Sequence, residues 1–305
     1  MVTRRSFLAA AAAAMPLSAK GRIDISRISV ITDEIARSSQ AAVDFAKQYG
    51  LRWVELRGVP GERAEYAYLD ESRLRAEAKL LDENGLRVSF LNTSLMKVMI
   101  PGIQPPRWAK EDEAKREARM QSDKVKFERR LEDLRKGLRA AHILGVDKMR
   151  VFTGWRGPDP AAVMPRVAEI LQEMAEIAAG EKVHLLIENE GACNVGTSAE
   201  LAHIAKLVPS KWVGINWDPL NGVALKEVPF PEGYALLPKK RVWNVQIKGK
   251  SILEGPQKLD WKAIFEALVK DGYKGQVGLE THIFGDGQIQ ASHDSMKEIL
   301  KIIHA

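Results

Sequence analysis

Four oxygen-bearing side chains mark the ends of four successive apolar segments in the second half of the chain. Glu188 follows VHLLI, Asp218 follows WVGINW, Gln246 lies in RVWNVQIK and Glu280 lies in QVGLET, each roughly thirty residues after the one before. If the segments are strands, period-two alternation puts Leu186 with Glu188, Asn216 with Asp218, Asn244 with Gln246 and Gly278 with Glu280, so all four polar ends can point the same way. Three carboxylates crowded at one place repel and raise one another's pKa unless a cation neutralises them. One divalent metal would do so. The donors are all oxygen, which suits Mn²⁺ or Mg²⁺ better than Zn²⁺. The competing reading is an ion-pair network in which these carboxylates are answered by Lys248 or Arg150.

The elements that must carry these residues alternate along the chain. Short β-type runs are read at Arg27 to Thr32, Arg52 to Leu56, Leu86 to Asn92, Lys148 to Thr153, Val183 to Glu190, Trp212 to Asp218, Arg241 to Lys248 and Gln276 to Thr281. Helix-period runs follow them at about 39–49, 71–84, 160–179, 198–207, 261–270 and 292–303, with Gly50 placed to cap the first in the left-handed conformation. Eight strand-helix units in one chain of this length predict a (β/α)8 TIM barrel, with a doubly wound sheet as the alternative. No G-x-G-x-x-G or P-loop pattern follows a strand, which argues against a dinucleotide or nucleoside triphosphate site. Between the third and fourth strands lies a charged segment, Trp108 to Leu144. Its mixed charges at three- and four-residue spacing predict two solvated helices broken near Ser122, serving as a lid or partner surface. Acidic residues nearly match basic ones there, so a nucleic-acid arm is disfavoured.

Composition sets wider bounds. The chain has 305 residues, 45% hydrophobic and 28% charged, enough for one barrel-sized core. The formal charge is +6 and the pI about 9.2, but the two signs are interleaved. Cys193 is the single cysteine, which excludes an intrachain disulfide and a cysteine-based zinc site, and no base stands near it to make it a nucleophile. At the N-terminus, Thr3-Arg4-Arg5-Ser6-Phe7-Leu8 precedes an Ala-rich run too short to span a membrane. It resembles a twin-arginine export signal over residues 1–19, with a plain secretory signal or an uncleaved anchor as alternatives. The expectation is a periplasmic or otherwise extracytoplasmic protein, off the membrane once the signal is cleaved, with a single domain over 25–305.

The quoted motifs, LLIENE, GINWDPLN, NVQIKGK and VGLETH, resemble those of the sugar phosphate isomerase/epimerase family with a xylose-isomerase-like TIM barrel, along nearly all of the mature chain. The family also includes inosose dehydratases, hydroxypyruvate isomerases and, more distantly, endonuclease IV. The resemblance implies that Glu188, Asp218, Gln246 and Glu280 hold one divalent metal, and that Glu188 and Glu280 are the catalytic pair that exchanges a substrate proton. Two departures stand out. Gln246 occupies the position of a metal-ligand His, and Asn221 stands where sugar epimerases often carry a His that contacts substrate.

Further candidates for substrate binding are Lys248, inward beside Gln246, and His282, two residues after Glu280. Trp155 and Trp108 could stack on a sugar face, and Glu55 and Asn92 sit at strand ends where they could line the pocket. His184 is expected to lie buried in its strand. Three functions follow: a sugar isomerase or epimerase working through an enediolate, a lyase or dehydratase on keto-sugars or keto-glycosides, and a sugar-binding protein without catalysis. The expected partner is a small carbohydrate and not a nucleic acid, and homo-oligomer formation is left open.

Overall fold

Eight short parallel strands wrap into a nearly closed barrel in the computed structural model, which describes residues 22–249, 251–254, 258–283 and 285–305. The export signal expected over residues 1–19 lies outside the described residues. The strands are β1 (Ile28–Val30), β2 (Trp53–Leu56), β3 (Arg87–Leu91), β4 (Lys148–Val151), β5 (His184–Glu188), β6 (Val213–Trp217), β7 (Val242–Lys248) and β8 (Val277–Glu280). From β2 to β8 each strand pairs with the next in sequence, and β1 pairs with β8. The seam is β1 to β2, where a single bridge, Ile31 to Glu55, joins the two. Among the described residues, no helix is long and apolar enough to cross a membrane.

The outer ring is α1 (Ser39–Gln48), α2 (Glu71–Glu83), α3 (Glu113–Glu128), α4 (Arg130–Leu144), α5 (Pro160–Gly180), α6 (Ser198–Leu207), α7 (Trp261–Lys270) and α8 (Gln288–His304). Their starts follow local chemistry. Ser38, Asp70, Asp112, Asp159 and Asp260 each accept a backbone N–H of the first turn, satisfying a donor that has no partner within the helix. Thr197 and Glu200 form a reciprocal capping box on α6. Gly50 has φ +67° just after α1, as its position in the sequence predicted, and Gly145 takes the same conformation after α4.

Three sequence expectations change. The charged segment breaks at Arg129, not near Ser122, which lies inside α3. The next residue, Asp123, is buried and accepts from Met99 N and Trp155 Nε1, which ties that turn of helix to the barrel. The last helix begins at Gln288, a turn earlier than the apolar spacing indicated. His184 is half-buried at the start of β5, with its ring tilted against Trp212 and edge-on to Trp243, at the end of the barrel away from the carboxylates.

The apolar core lies between the strands and the helix ring, and includes the fully buried Trp217, whose Nε1 donates to Ser198 of α6. Inside the barrel the filling is polar. Ser29, Glu55, Asn92, Asn216, Asn244 and Gln246 are buried and bonded to one another across the lumen. Their donors are satisfied within the cluster, which offsets much of the cost of burial, while the side-chain oxygens of Asn92, Asn244 and Gln246 are left without partners.

Candidate active site

At the carboxyl ends of β5, β6 and β8, Glu188, Asp218 and Glu280 each bring an oxygen to within 4.8 Å of the others, and all three are buried. Loops leaving this end of a barrel are free to carry polar groups, while the strand bodies are committed to packing. Asp218 is held twice. Its backbone N–H donates to Asn189 Oδ1 at 2.9 Å and its carbonyl accepts from Asn189 Nδ2 at 2.7 Å, while its carboxylate caps the short helix Pro219–Val223.

Cations answer the carboxylates. Arg150 Nη1 donates to Glu188 Oε2 at 3.0 Å, and Asn216 Nδ2 donates to the same oxygen at 2.6 Å. Lys248 Nζ bridges Asp218 Oδ2 at 2.9 Å and Glu280 Oε2 at 3.2 Å, and reaches Asn221 Oδ1 at 2.9 Å. Arg57 bonds Asp33, Glu34 and Glu280 together. Both sequence readings of the carboxylates therefore meet here: they are clustered as a metal would need, and they are ion-paired to Lys248 and Arg150.

The electrostatics separate the acids. Burial alone would raise Glu280, but Lys248, His282, Arg57 and Arg150 outweigh it and hold its carboxyl well below the usual range. Burial pushes Asp218 up to about 6 against the pull of Lys248. Burial, and then the charge on Glu280, raises Glu34. Lys248 is raised despite its burial, because Asp218, Glu280 and Glu188 surround it, and it stays a cation.

The remaining candidates fall in different places. Gln246 is on the inward face of β7, but its Nε2 donates to Glu55 Oε2 at 2.7 Å, while its Oε1 is buried without a partner. Glu55 is fully buried among amides, bonded to Asn92 and Asn244 as well; burial raises its carboxyl and these hydrogen bonds oppose the rise. Asn221 sits at the mouth between Lys248 and the backbone of Asn189. His282 has φ +55°, gives its backbone N–H to Glu34 and places Nδ1 3.6 Å from Glu280. Trp155 commits its indole N–H to Asp123 with Arg107 over its ring, and Trp108 is buried. Cys193 is buried and its thiol is pushed up to about 12, first by burial and then by Glu190, so it is unreactive.

Arg57, Glu34 and Asn189 escaped the sequence reading. Arg57 directly follows the second strand and Glu34 lies just after the first, so a charged residue at a strand end was the available signal.

The donor set fits a divalent cation. Asp33, Glu34, Glu188, Asp218 and Glu280 face Arg57, Arg150 and Lys248, so carboxyl groups outnumber the arginine and lysine cations within this network. Gln246 Oε1, like Asn92 Oδ1 and Asn244 Oδ1, is a buried oxygen without a partner, a neutral donor of the hard kind such ions prefer.

Comparison with known proteins agrees with this architecture. A family model for the xylose isomerase-like TIM barrel matches residues 43–301. No curated protein matches the sequence. Among solved structures, the apo 3-keto-D-glucoside 4-epimerase from E. coli superposes with a TM-score of 0.67 at 16% identity, covering 92% of this chain and 100% of its own. The IOLI protein with a bound zinc atom gives 0.67 at 15% identity, covering 91% and 98%. A xylose isomerase-like TIM barrel protein from Mycobacterium smegmatis in complex with magnesium gives 0.62 at 17% identity, covering 91% and 96%. At these identities the likeness to each is one of fold.

Proposed function

The chain belongs to the xylose isomerase-like TIM barrel family, and on that premise we propose that it is a divalent-metal-dependent sugar isomerase or epimerase that moves a proton on the carbon beside a carbonyl. The observation that carries this reading is the pair of buried glutamates, Glu188 and Glu280, gathered around Asp218 yet held by different cations. Glu280 is kept ionised by its neighbours, and of the two glutamates one serves as base and the other as acid. Both hydrogen bonds to Glu188 fall on Oε2, which leaves Oε1 for proton exchange at the other face of the substrate.

Glu188, Asp218, Glu280 and the Gln246 oxygen would hold the cation, Mn²⁺ or Mg²⁺ in preference to Zn²⁺. When bound, it supplies Lewis-acid polarisation of the substrate's carbonyl and hydroxyl oxygens. Lys248 and Asn221 orient a hydroxyl, and the Lys248 charge compensates an enediolate as it forms. With the export signal proposed for residues 1–19, the substrate is an unphosphorylated or oxidised sugar met outside the cytoplasm.

The test is incubation with free ketoses and 3-keto-glucosides in D₂O with added Mn²⁺ or Mg²⁺, read by NMR and mass spectrometry, alongside metal analysis of the purified protein. Deuterium at the carbon beside the carbonyl, together with the isomeric sugar, supports the proposal. A β-elimination product in its place assigns the site to a lyase. Sugar binding with neither exchange nor bound metal assigns it to a non-catalytic carbohydrate-binding protein.

A further inference from the structure

Glu55 reaches from β2 into the middle of the barrel, where it is fully buried and bonded only by uncharged donors. Ser29 Oγ at 2.9 Å and Asn244 Nδ2 at 3.2 Å meet Oε1, while Asn92 Nδ2 at 2.8 Å and Gln246 Nε2 at 2.7 Å meet Oε2. Oε2, taking two amide nitrogens, acts as an acceptor. The Gln246 amide presents its NH₂ to Glu55. An amide has one oxygen, so Oε1 of Gln246 has to face the other way, and it is a buried oxygen without a partner.

We infer that Glu55 is a positioning residue that fixes which end of the Gln246 amide meets the cation. The inference rests on the reading of the β5 to β8 strand ends as a metal site. Glu55 touches neither the cation nor the substrate. Without its acceptor both orientations of the amide are open, and the one that turns NH₂ toward a dication repels it. Polar partners behind a metal ligand typically matter by about 10- to 100-fold in affinity.

Gly278 on β8 belongs to the same device. A Cβ there would lie 2.0 Å from Glu55 Oε1 and 2.9 Å from Oε2. The bare backbone at that position is what lets the carboxylate lie between β1, β3 and β7.

Mn²⁺ titration followed by EPR of the free ion tests this, together with melting of the metal-free proteins. The variants are Glu55→Gln, Gly278→Ala, which displaces the carboxylate by contact alone, and the swap Glu55→Gln/Gln246→Glu. The single variants are expected to bind Mn²⁺ about 10- to 100-fold more weakly than wild type. The swap is expected to recover wild-type affinity or better, because the introduced carboxylate is then the ligand and the introduced amide its donor. A merely structural role for Glu55 would lower the melting temperature and leave the Mn²⁺ affinity alone. Folded single variants that match wild type in affinity overturn the inference while leaving the metal site standing. If Glu55→Gln does not fold, Gly278→Ala decides by the same criterion. Wild-type protein that takes up no Mn²⁺ overturns the metal site and this inference with it.

Discussion

Lys248 Nζ lies 2.9 Å from Asp218 Oδ2, inside the acidic cluster and not at its rim. The ammonium occupies oxygens that a divalent cation would also use, since it bridges to Glu280 as well. Lysine and metal are therefore antagonists for the same charge. In Lys248→Met, Asp218 and Glu280 lose their shared partner, and breaking a buried pair in this way typically costs about 3–5 kcal/mol. The metal-free variant should melt well below wild type, and added Mn²⁺ should recover part of the loss because it binds the vacated oxygens more tightly. Equal losses with and without Mn²⁺ would show that the carboxylates serve only as an ion-pair network.

Glu188 and Glu280 are near-equivalent in burial but not in surroundings, and the proposed proton exchange needs both. Glu188→Gln and Glu280→Gln keep shape while removing the proton carrier, so turnover at saturating Mn²⁺ should drop by about 10²- to 10⁴-fold in each. Solvent deuterium exchange measured beside net turnover separates the two roles. Near-full turnover in either variant would remove that residue from the chemistry.

The barrel and the ring of strand-end acids were legible in the sequence because both follow from short-range periodicity. Each strand is a few residues long, bounded by a helix start, and its polar residue falls at a fixed phase. The partners were hidden for the converse reason. Gln246 and Glu55 meet across 191 residues of chain, and no local pattern records that an inward amide on β7 will find an inward carboxylate on β2. Arg57 shows the same limit, since its partners come from the short helix Thr32–Ile35 after β1 and from β8. The break at Arg129 was misplaced because exposed charges keep their helical spacing whichever residue turns the axis. What fixes the helix there is Asp123, buried against Met99 and Trp155.

Asn189 joins β5 to β6 at the level of the site. Its side chain makes both bonds to the backbone of Asp218, and its carbonyl accepts from Asn221 Nδ2 at 2.9 Å. Asn189→Ala strands a buried N–H and a buried C=O, at about 1–3 kcal/mol for each unpaired group. The variant should lose stability in urea and also bind Mn²⁺ more weakly, because Asp218 is no longer held in register with Glu188. Asn189→Asp retains the acceptor for the Asp218 N–H but turns a carboxylate oxygen toward the Asp218 carbonyl, and should lose at least as much as Asn189→Ala. Unchanged Mn²⁺ affinity in a destabilised Asn189→Ala would confine Asn189 to a structural role.

A pH dependence away from the acidic cluster is set by Glu200. Burial alone would raise its carboxyl, but Arg156 and the backbone N–H groups of Gly196 and Thr197 outweigh that and lower it. With the folded pKa below the unfolded one, the unfolded chain takes up the proton first as pH falls. The stabilisation from Glu200 is thus fully present above its unfolded value, roughly 4.3, and is lost as pH drops through the lower folded value. Glu200→Gln should be less stable than wild type in urea at pH 7, by an amount that stays constant down to about pH 5 and shrinks below it. A gap between the two proteins that persists unchanged to pH 2 would mean that packing, and not the charge of Glu200, holds the start of α6.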